Sequence, residues 1–176
     1  MTNNNEWSLA ALIERGGVYY DVPGASPKEL IDSVIGLMPQ IKGVAPEELR
    51  RQIMEREALV STGVGHGIAL PHPRSPVLAP QPSPQGEGSP LEGADEPPLV
   101  AIAFPVMPID WNTQDGSKVH TVFLIISVSA KQHLNTLSKI NFLCQKEKFH
   151  SLIEARVSKK EIVAAVKEAE NSWVNK

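Results

Sequence analysis

Residues 57–74 read EALVSTGVGHGIALPHPR, in which alternating glycines lead into a short apolar run that stops at a histidine between two prolines. The apolar run at 68–70 is too short for a helix and predicts a buried strand that ends at His72. Pro71 and Pro73 restrict the backbone on both sides of this imidazole. Because functional residues are often held at strand ends by a rigid scaffold, His72 is the first candidate functional residue.

The chain before this stretch predicts one strand and two helices. Val18–Val22 is β-branched and aromatic and is followed by Pro-Gly, a pattern typical of a short strand. Ser26 can cap a first helix that begins at Pro27 and stops before Pro39. A second helix is expected from about Pro46 to Ala58, with its charged residues mostly in solvent.

The chain after His72 predicts two more strands and three helices. Two runs of strand composition, 99–104 and 120–128, flank a loop that contains the turn signal Asp115-Gly116. Apolar residues at helical spacing then predict helices over 134–144, around 152–153 and over 162–166. The predicted order is strand, two helices, three strands and three helices. Since both parts must share one core, we expect an α+β fold with a central mixed sheet and helices on both faces.

Length and composition fit one globular domain. The chain has 176 residues, of which 41% are hydrophobic and 21% charged, so a single domain over 1–176 is expected. The segment 75–98 differs, because it has seven prolines, three glycines and four acidic residues but no lysine or arginine. Such a segment cannot build a core, so we predict a mobile insertion there, with ordering against a partner as the alternative.

Charge, apolar runs and cysteine content exclude several classes of protein. The net charge is −3 with basic residues spread along the chain, so no nucleic-acid partner is expected. Apolar runs such as 122–126 are far too short to cross a membrane, and the first residues do not resemble a signal peptide. We therefore expect a soluble cytoplasmic protein without direct membrane insertion. The one cysteine, Cys144, excludes an intramolecular disulfide and offers no zinc or redox pair.

Several kinds of chemistry lack the residues they need. The glycines at 63, 65 and 67 allow positive φ, and their amides could form an anion-binding concavity, but their spacing matches no nucleotide-binding motif. A hydrolase is disfavoured, because there is no G-x-S-x-G elbow and Cys144 falls on an apolar helix face. No metal is expected, since no two histidines have the i, i+4 spacing of a helical zinc site among those at 66, 72, 120, 133 and 150.

What remains is a histidine that itself carries a group. Neutral imidazole, with an ordinary pKa of about 6.5, can attack phosphorus directly, and the product then needs a guanidinium and a second donor nearby. Arg56 lies at the end of a helix that the chain leaves on its way to His72, and His133 opens the helix after the last strand. Either can point into the same cleft. The alternatives are a solvated helix-end charge for Arg56 and a helix-entry residue for His133.

The segment from Arg56 to His72 resembles the active-site segment of the enzyme IIA proteins in the fructose, mannitol and nitrogen-regulatory branches of the bacterial phosphoenolpyruvate-dependent phosphotransferase system. The family pattern is an Arg-Glu-x-Leu-like helix end followed by Thr-Gly-x-Gly-x-Gly-x-Ala-x-Pro-His. This chain meets it at Arg56, Glu57, Thr62, Gly63, Gly65, Gly67, Ala69, Pro71 and His72. The segments 108–111 (PIDW), 115–116 (DG) and 133–138 (HLNTLS) are also similar, so the resemblance covers nearly the whole chain.

The resemblance implies a three-layer α/β/α fold around a mixed sheet and a role in phosphoryl relay. It implies that His72 accepts a phosphoryl group from the phosphohistidine of HPr, or its nitrogen-branch homologue, and passes it to a IIB domain in sugar uptake. It also implies that Arg56 and His133 stabilise the phosphohistidine and that no cofactor or metal takes part. In the nitrogen-regulatory alternative, phosphorylation of the histidine switches binding to regulated target proteins.

Two features depart from the family pattern. Many members have glycine or alanine after the active histidine, whereas Pro73 in this chain removes an amide donor that could contact phosphate. The second departure is the Pro-rich segment 75–98, which lies close in sequence to His72. Its position bears on where a partner protein docks.

Overall fold

The computed structural model describes residues 7–74 and 97–174. Within them the chain forms α1 (Leu9–Gly16), β1 (Val18–Val22), α2 (Pro27–Leu37), α3 (Pro46–Leu59), β2 (Gly63–Gly65), β3 (Ile68–Ala69), β4 (Leu99–Pro105), β5 (Thr121–Ile126), α4 (Ala130–Cys144), α5 (Glu147–Glu154) and α6 (Lys159–Val174).

The strands form one mixed sheet in the order β1-β4-β5-β3-β2. β1 pairs with β4, and β3 with β5, in parallel, whereas the pairs β4–β5 and β2–β3 are antiparallel. Every residue of β4 and β5, the central strands, is buried. Consecutive residues of a strand point to opposite faces, so these two strands supply apolar side chains to both sides of the sheet.

Helices cover both faces, and each face has its own apolar cluster. On one face, α2 and α3 pack against the sheet through residues such as Ile53 and Leu124. On the other, α1, α4, α5 and α6 pack against it through residues such as Ile13, Phe123 and Ile162. This three-layer α/β/α arrangement around a mixed sheet confirms the predicted fold class.

Most of the predicted elements form. The strand at 18–22, the two helices after it, the two strands beyond residue 98 and the three C-terminal helices are all present, with ends that differ by a few residues. Ser26 caps α2 as predicted, since its Oγ accepts a hydrogen bond from the backbone N–H of Glu29. The Asp115-Gly116 turn is also present, with Gly116 at a φ of +71°.

The predicted order is wrong in two places, because it omits α1 and β2. The signal for α1 lies in the sequence: Ser8 caps the helix, Leu9, Leu12 and Ile13 are buried together, and Gly17 ends it with a φ of +91°. β2 lies where only a glycine turn is predicted, and it pairs with β3. Glycines are unusual in strands, so composition gives no signal for this one.

The strand that leads to His72 is also shorter than predicted, since β3 contains only Ile68–Ala69. The carbonyl of Pro71 still accepts a hydrogen bond from the N–H of Ile125 (3.0 Å), so the chain stays beside β5 for two more residues. Pro71 and Pro73 have no N–H to add to the ladder. Regular pairing therefore stops, and His72 lies just beyond its end.

Two predictions concern the segment 75–98 and the membrane. Residues 75–96 lie outside the described part of the chain, so mobility there stays a prediction. Pro98 is buried and leads directly into β4. Among the helices within 7–74 and 97–174, none is long and apolar enough to cross a membrane.

Gly16 and Gly36 give a matched test of this packing. Gly16 is buried where α1 meets β4, and a Cβ at this position would lie 2.1 Å from the carbonyl oxygen of Val100. We expect Gly16→Ala to lower the free energy of unfolding by at least about 2 kcal/mol, because the backbone of the sheet cannot move aside locally. Urea denaturation measures this loss.

The control is Gly36→Ala on the exposed side of α2, where a Cβ would meet nothing within 4 Å. That change should raise the free energy of unfolding by about 0.5–1 kcal/mol, since alanine favours the helix. Equal effects of the two substitutions would contradict the close contact between α1 and β4.

Candidate functional site

Strand topology brings His72, His133 and Arg56 to one edge of the sheet. β3 and β5 are parallel, so the segments that follow them emerge at the same edge, with His72 after β3 and His133 in the first turn of α4 after β5. β2 is antiparallel to β3, and its first residue pairs with the last residue of β3. The end of α3, which carries Arg56 and leads into β2, therefore approaches the same edge.

His72 is half-buried and has a defined ring orientation. Its Nδ1 lies 2.8 Å from the carbonyl oxygen of Leu70. A carbonyl oxygen can only accept a hydrogen bond, so the proton of the neutral ring is on Nδ1 and the lone pair is on Nε2. Burial, with a smaller effect from the positive charge of Arg56, lowers the pKa of His72 below its ordinary value of 6.5, while the Leu70 hydrogen bond opposes this shift. The nitrogen available for reaction at neutral pH is thus an unprotonated Nε2.

His133 lies directly beside His72. The centroids of the two rings are 4.6 Å apart, with planes tilted by 54°. The Nδ1 of His133 lies 3.1 Å from Oγ of Ser127, a buried residue between β5 and α4. Burial, together with smaller effects from the neighbouring His72 and Arg56, lowers the pKa of His133 to about 4. Both rings are therefore neutral at physiological pH.

Arg56 supplies the positive charge of the site. One of its N–H groups, at Nη1, donates to the carbonyl of Val60 at 2.9 Å. The guanidinium has five N–H donors in a planar fork, so donors remain for an anion. Its charge acts on the pKa of both His72 and His133, which places it within electrostatic reach of the two rings.

Glu57 fixes the segment that follows Arg56. Its Oε1 accepts hydrogen bonds from Nε1 of Trp111 and from the backbone N–H of Thr62, each at 2.9 Å, and its Oε2 accepts from Oγ1 of Thr62. Trp111 and Thr62 are only 2% and 5% exposed, so these bonds are shielded from water. They join the end of α3, the start of β2 and the loop after β4 into one unit beside the site.

The hairpin of β2 and β3 is held by the turn at Asp115. The carboxylate of Asp115 accepts from the N–H of His66 (2.8 Å) and from the N–H and Oγ of Ser117, and these bonds hold its pKa well below the usual range. Of the three glycines that allow positive φ, Gly65 and Gly67 adopt it, at +87° and +73°, and Gly63 does not.

Two of the three glycine amides that could form an anion-binding concavity already donate within the fold. The N–H of Gly63 donates to Oγ of Ser61, and the N–H of Gly67 donates to Oγ of Ser117, each at 3.1 Å. Both amides are therefore used within the fold.

The other histidines form a separate group. His66, His120 and His150 pack together, with ring centroids 5.9 Å apart for His120–His150 and 6.2 Å apart for His66–His150. In the described part of the chain, no three histidine, cysteine or acidic side chains are arranged to hold a metal ion. Cys144 is partly buried at the end of α4, and burial raises the pKa of its thiol to about 12.

The sequence identified three of the groups at this edge and missed others. The rings of His72 and His133 lie side by side and the charge of Arg56 acts on both, whereas their roles in phosphoryl transfer stay predictions. The roles of the Leu70 carbonyl and the Ser127 hydroxyl could not be predicted from the sequence, because each depends on a contact with a histidine ring that only the fold creates. Glu57 belongs to the quoted family pattern, yet only the structure shows that it binds Trp111.

Comparison with known proteins gives a family for the chain. Residues 11–169 match the family described as "Phosphoenolpyruvate-dependent sugar phosphotransferase system, EIIA 2". A nitrogen regulatory protein from Pseudomonas aeruginosa is 26% identical over 135 residues, which is 75% of this chain and 77% of that protein.

Solved structures share the fold. Nitrogen regulatory protein IIA-Ntr from Neisseria meningitidis has a TM-score of 0.67 and 22% identity, covering 85% of this chain and 92% of that one. The complex of enzyme IIA mannitol with phosphorylated enzyme IIB mannitol from Escherichia coli gives a TM-score of 0.60 and 14% identity, with coverage of 86% and 94%. At these identities the structures support the fold alone. The match over residues 11–169 shows that this chain belongs to the type 2 EIIA family of the phosphoenolpyruvate-dependent sugar phosphotransferase system.

Proposed function

We propose that this chain is a phosphoryl relay protein in which Nε2 of His72 carries the phosphoryl group. The observation that carries this proposal is the hydrogen bond from Nδ1 of His72 to the carbonyl of Leu70, which leaves the lone pair of the neutral ring on Nε2. The family to which the chain belongs supports a phosphotransferase component. The donor in the proposal is the phosphohistidine of HPr or of its nitrogen-branch homologue.

In the proposed step, Nε2 of His72 attacks the phosphorus atom of the donor. A P–N bond forms at Nε2, the P–N bond of the donor breaks, and the donor ring nitrogen takes back the electron pair. The proton stays on Nδ1 of His72, and its hydrogen bond to the carbonyl oxygen of Leu70 stabilises the positive charge that develops in the ring. Such a transfer depends on positioning and charge stabilisation, so the side chains present are sufficient for it.

Arg56 and His133 are proposed to stabilise the product. A phosphoryl group adds about −1.5 to −2 of charge. The unphosphorylated site has two neutral rings and the guanidinium of Arg56. The nearby carboxylate of Glu57 is already hydrogen-bonded to Trp111 and Thr62, so the incoming group meets the positive charge of Arg56. Charge-assisted hydrogen bonds from a guanidinium to phosphate oxygens are among the stronger ones in proteins.

The surface around the site suits a protein partner. Leu59 and Val60 follow Arg56 and are 62% and 64% exposed, and Leu134 follows His133 and is 64% exposed. Apolar side chains around a polar centre are typical of protein interfaces. In the proposal, this rim meets the phosphocarrier first and then a IIB domain, whose cysteine accepts the group in sugar uptake.

A regulatory role is the second candidate. The similar protein from Pseudomonas aeruginosa is named a nitrogen regulatory protein and is matched over 77% of its length. In this alternative, the charge on phosphorylated His72 changes the binding of regulated target proteins at the same rim.

Labelling with phosphate tests the carrier. Wild type incubated with phosphorylated HPr should become labelled, and His72→Ala should not, because the only proposed acceptor is gone. The matched control His150→Gln, in the separate histidine group, should label like wild type. Persistent label on His72→Ala would contradict the proposal.

A second stage of the same experiment separates the two roles. Labelled protein is mixed with IIB domains from the same cell, and in parallel the two phosphorylation states are used to capture proteins. Transfer to a cysteine of a IIB domain supports relay in sugar uptake. No transfer, together with partners bound by one state only, supports the regulatory role.

Arg56 should promote phosphoryl acceptance through the planar geometry of its guanidinium donors as well as through its charge. We expect Arg56→Ala to slow phosphoryl acceptance roughly 10-fold, the size of one lost charged hydrogen bond, and Arg56→Lys to recover part of that loss. Rapid-quench labelling measures the rates. Arg51→Ala is the control, since Arg51 lies on the same helix but pairs with Glu48 and Glu55 in solvent. Equal rates for Arg56→Ala and Arg51→Ala would refute this role.

The two rings of the site should titrate at low pH. His72 must be unprotonated to attack, and its pKa lies below 6.5, so acceptance should persist at pH 6.5 and fall only below it. NMR titration of the free protein should give a midpoint of about 4 for His133 and one below 6.5 for His72. Arg56→Ala should raise both midpoints, because it removes a positive charge that opposes protonation. A His72 midpoint above 6.5 would be inconsistent with the buried, neutral ring.

A further inference from the structure

Ser127 is the residue that contacts the second histidine of the site. It follows β5 directly and precedes Ser129, which caps α4 by accepting a hydrogen bond from the N–H of Gln132. Ser127 is 3% exposed, and its Oγ lies 3.1 Å from Nδ1 of His133. The short turn between β5 and α4 thus folds the hydroxyl back onto a ring six positions later.

The 3.1 Å contact fits either direction of hydrogen bonding, and the burial of Ser127 favours donation from its hydroxyl to His133. A buried hydroxyl group normally donates its proton to an acceptor. Within residues 7–74 and 97–174, the partner of the Ser127 hydroxyl is Nδ1 of His133. Since His133 is neutral at physiological pH, its ring carries one proton. When Nδ1 accepts from Ser127, that proton must be on Nε2.

We propose that Ser127 is a positioning residue that holds His133 with its proton on Nε2, ready to donate to a phosphoryl group on His72. This inference rests on the proposed function of His72. In this proposal the two neighbouring rings carry their protons on opposite nitrogens. The Leu70 carbonyl keeps the proton of His72 on Nδ1 and leaves Nε2 as the nucleophile, whereas the Ser127 hydroxyl leaves Nε2 of His133 as a donor.

The other tautomer of His133 would destabilise the phosphorylated form of His72. With its proton on Nδ1, the ring would present a lone pair at Nε2 to an anionic phosphoryl group, and a donor would be replaced by a repulsive contact. In the described part of the chain Ser127 is the partner of Nδ1, so its removal leaves the required form unselected from that side and the ring freer to turn. At other functional sites, the hydrogen-bond partner of one ring nitrogen fixes the tautomer and orientation of a histidine.

Imidazole ¹⁵N NMR of the unphosphorylated protein at neutral pH tests the inference. In wild type we expect His133 to show a protonated-type shift at Nε2 and an unprotonated-type shift at Nδ1. Ser127→Ala should move both shifts toward the averaged values of mixed tautomers. The control is Ser129→Ala, which removes the helix cap but not the partner of Nδ1, and it should keep the wild-type shifts. A proton on Nδ1 in wild type, or unchanged shifts in Ser127→Ala, would overturn the inference.

A kinetic measurement gives the functional side of the test. Ser127→Ala should lower the rate of phosphoryl acceptance roughly 3- to 10-fold, as expected for one neutral hydrogen bond, while Ser129→Ala stays near wild type. Equal rates for wild type and Ser127→Ala would count against the inference. The NMR result needs no phosphate, so the two proposals can fail separately. A wild type that shows the Nε2–H form but takes no label would contradict the function of His72 and leave the role of Ser127 in orienting His133 intact.

Discussion

The parallel pairing of β3 with β5 is the constraint on which the site depends. Parallel neighbours end at the same edge of a sheet, so the segments after them are forced together even though they are far apart in sequence. His72 follows one strand and His133 the other. The antiparallel β2 brings the end of α3, with Arg56, to the same place. The region beyond the carboxyl ends of the strands is a common position for functional groups in α/β sheets.

Proton positions and charge then decide what the edge can do. Two neutral rings lie with centroids 4.6 Å apart, and burial keeps the pKa of each below the ordinary value. Two positive rings at this separation would repel each other, and within residues 7–74 and 97–174 the positive charge that acts on both rings is that of Arg56. An incoming phosphoryl group brings the opposite charge. The neutral histidine rings avoid repulsion before phosphorylation, and the positive charge of Arg56 stabilises the phosphoryl group after it.

Much of the fold could be predicted from the sequence, because its signals are local. The caps and apolar spacing of α2 and the continuous apolar runs of β4 and β5 indicate those elements directly. α1 has an equally local signal in Ser8 and Gly17, but β2 does not, since its glycines form a strand only by pairing with β3. The site follows the same rule. His72 is marked by its neighbours in sequence, whereas the contact of His133 with His72 and the hydroxyl of Ser127 depend on strand pairing that no local pattern specifies.

The central claim is that Nε2 of His72 is the phosphoryl acceptor, because the Nδ1–H group is hydrogen-bonded to the carbonyl oxygen of Leu70. The most direct measurement is the phosphorus–nitrogen coupling in NMR spectra of the phosphorylated protein labelled with ¹⁵N in its histidines. We predict one phosphohistidine, with phosphorus coupled to Nε2 of His72 and a proton retained on its Nδ1. Phosphorus bound to Nδ1 of His72, or to any other histidine, would contradict the account.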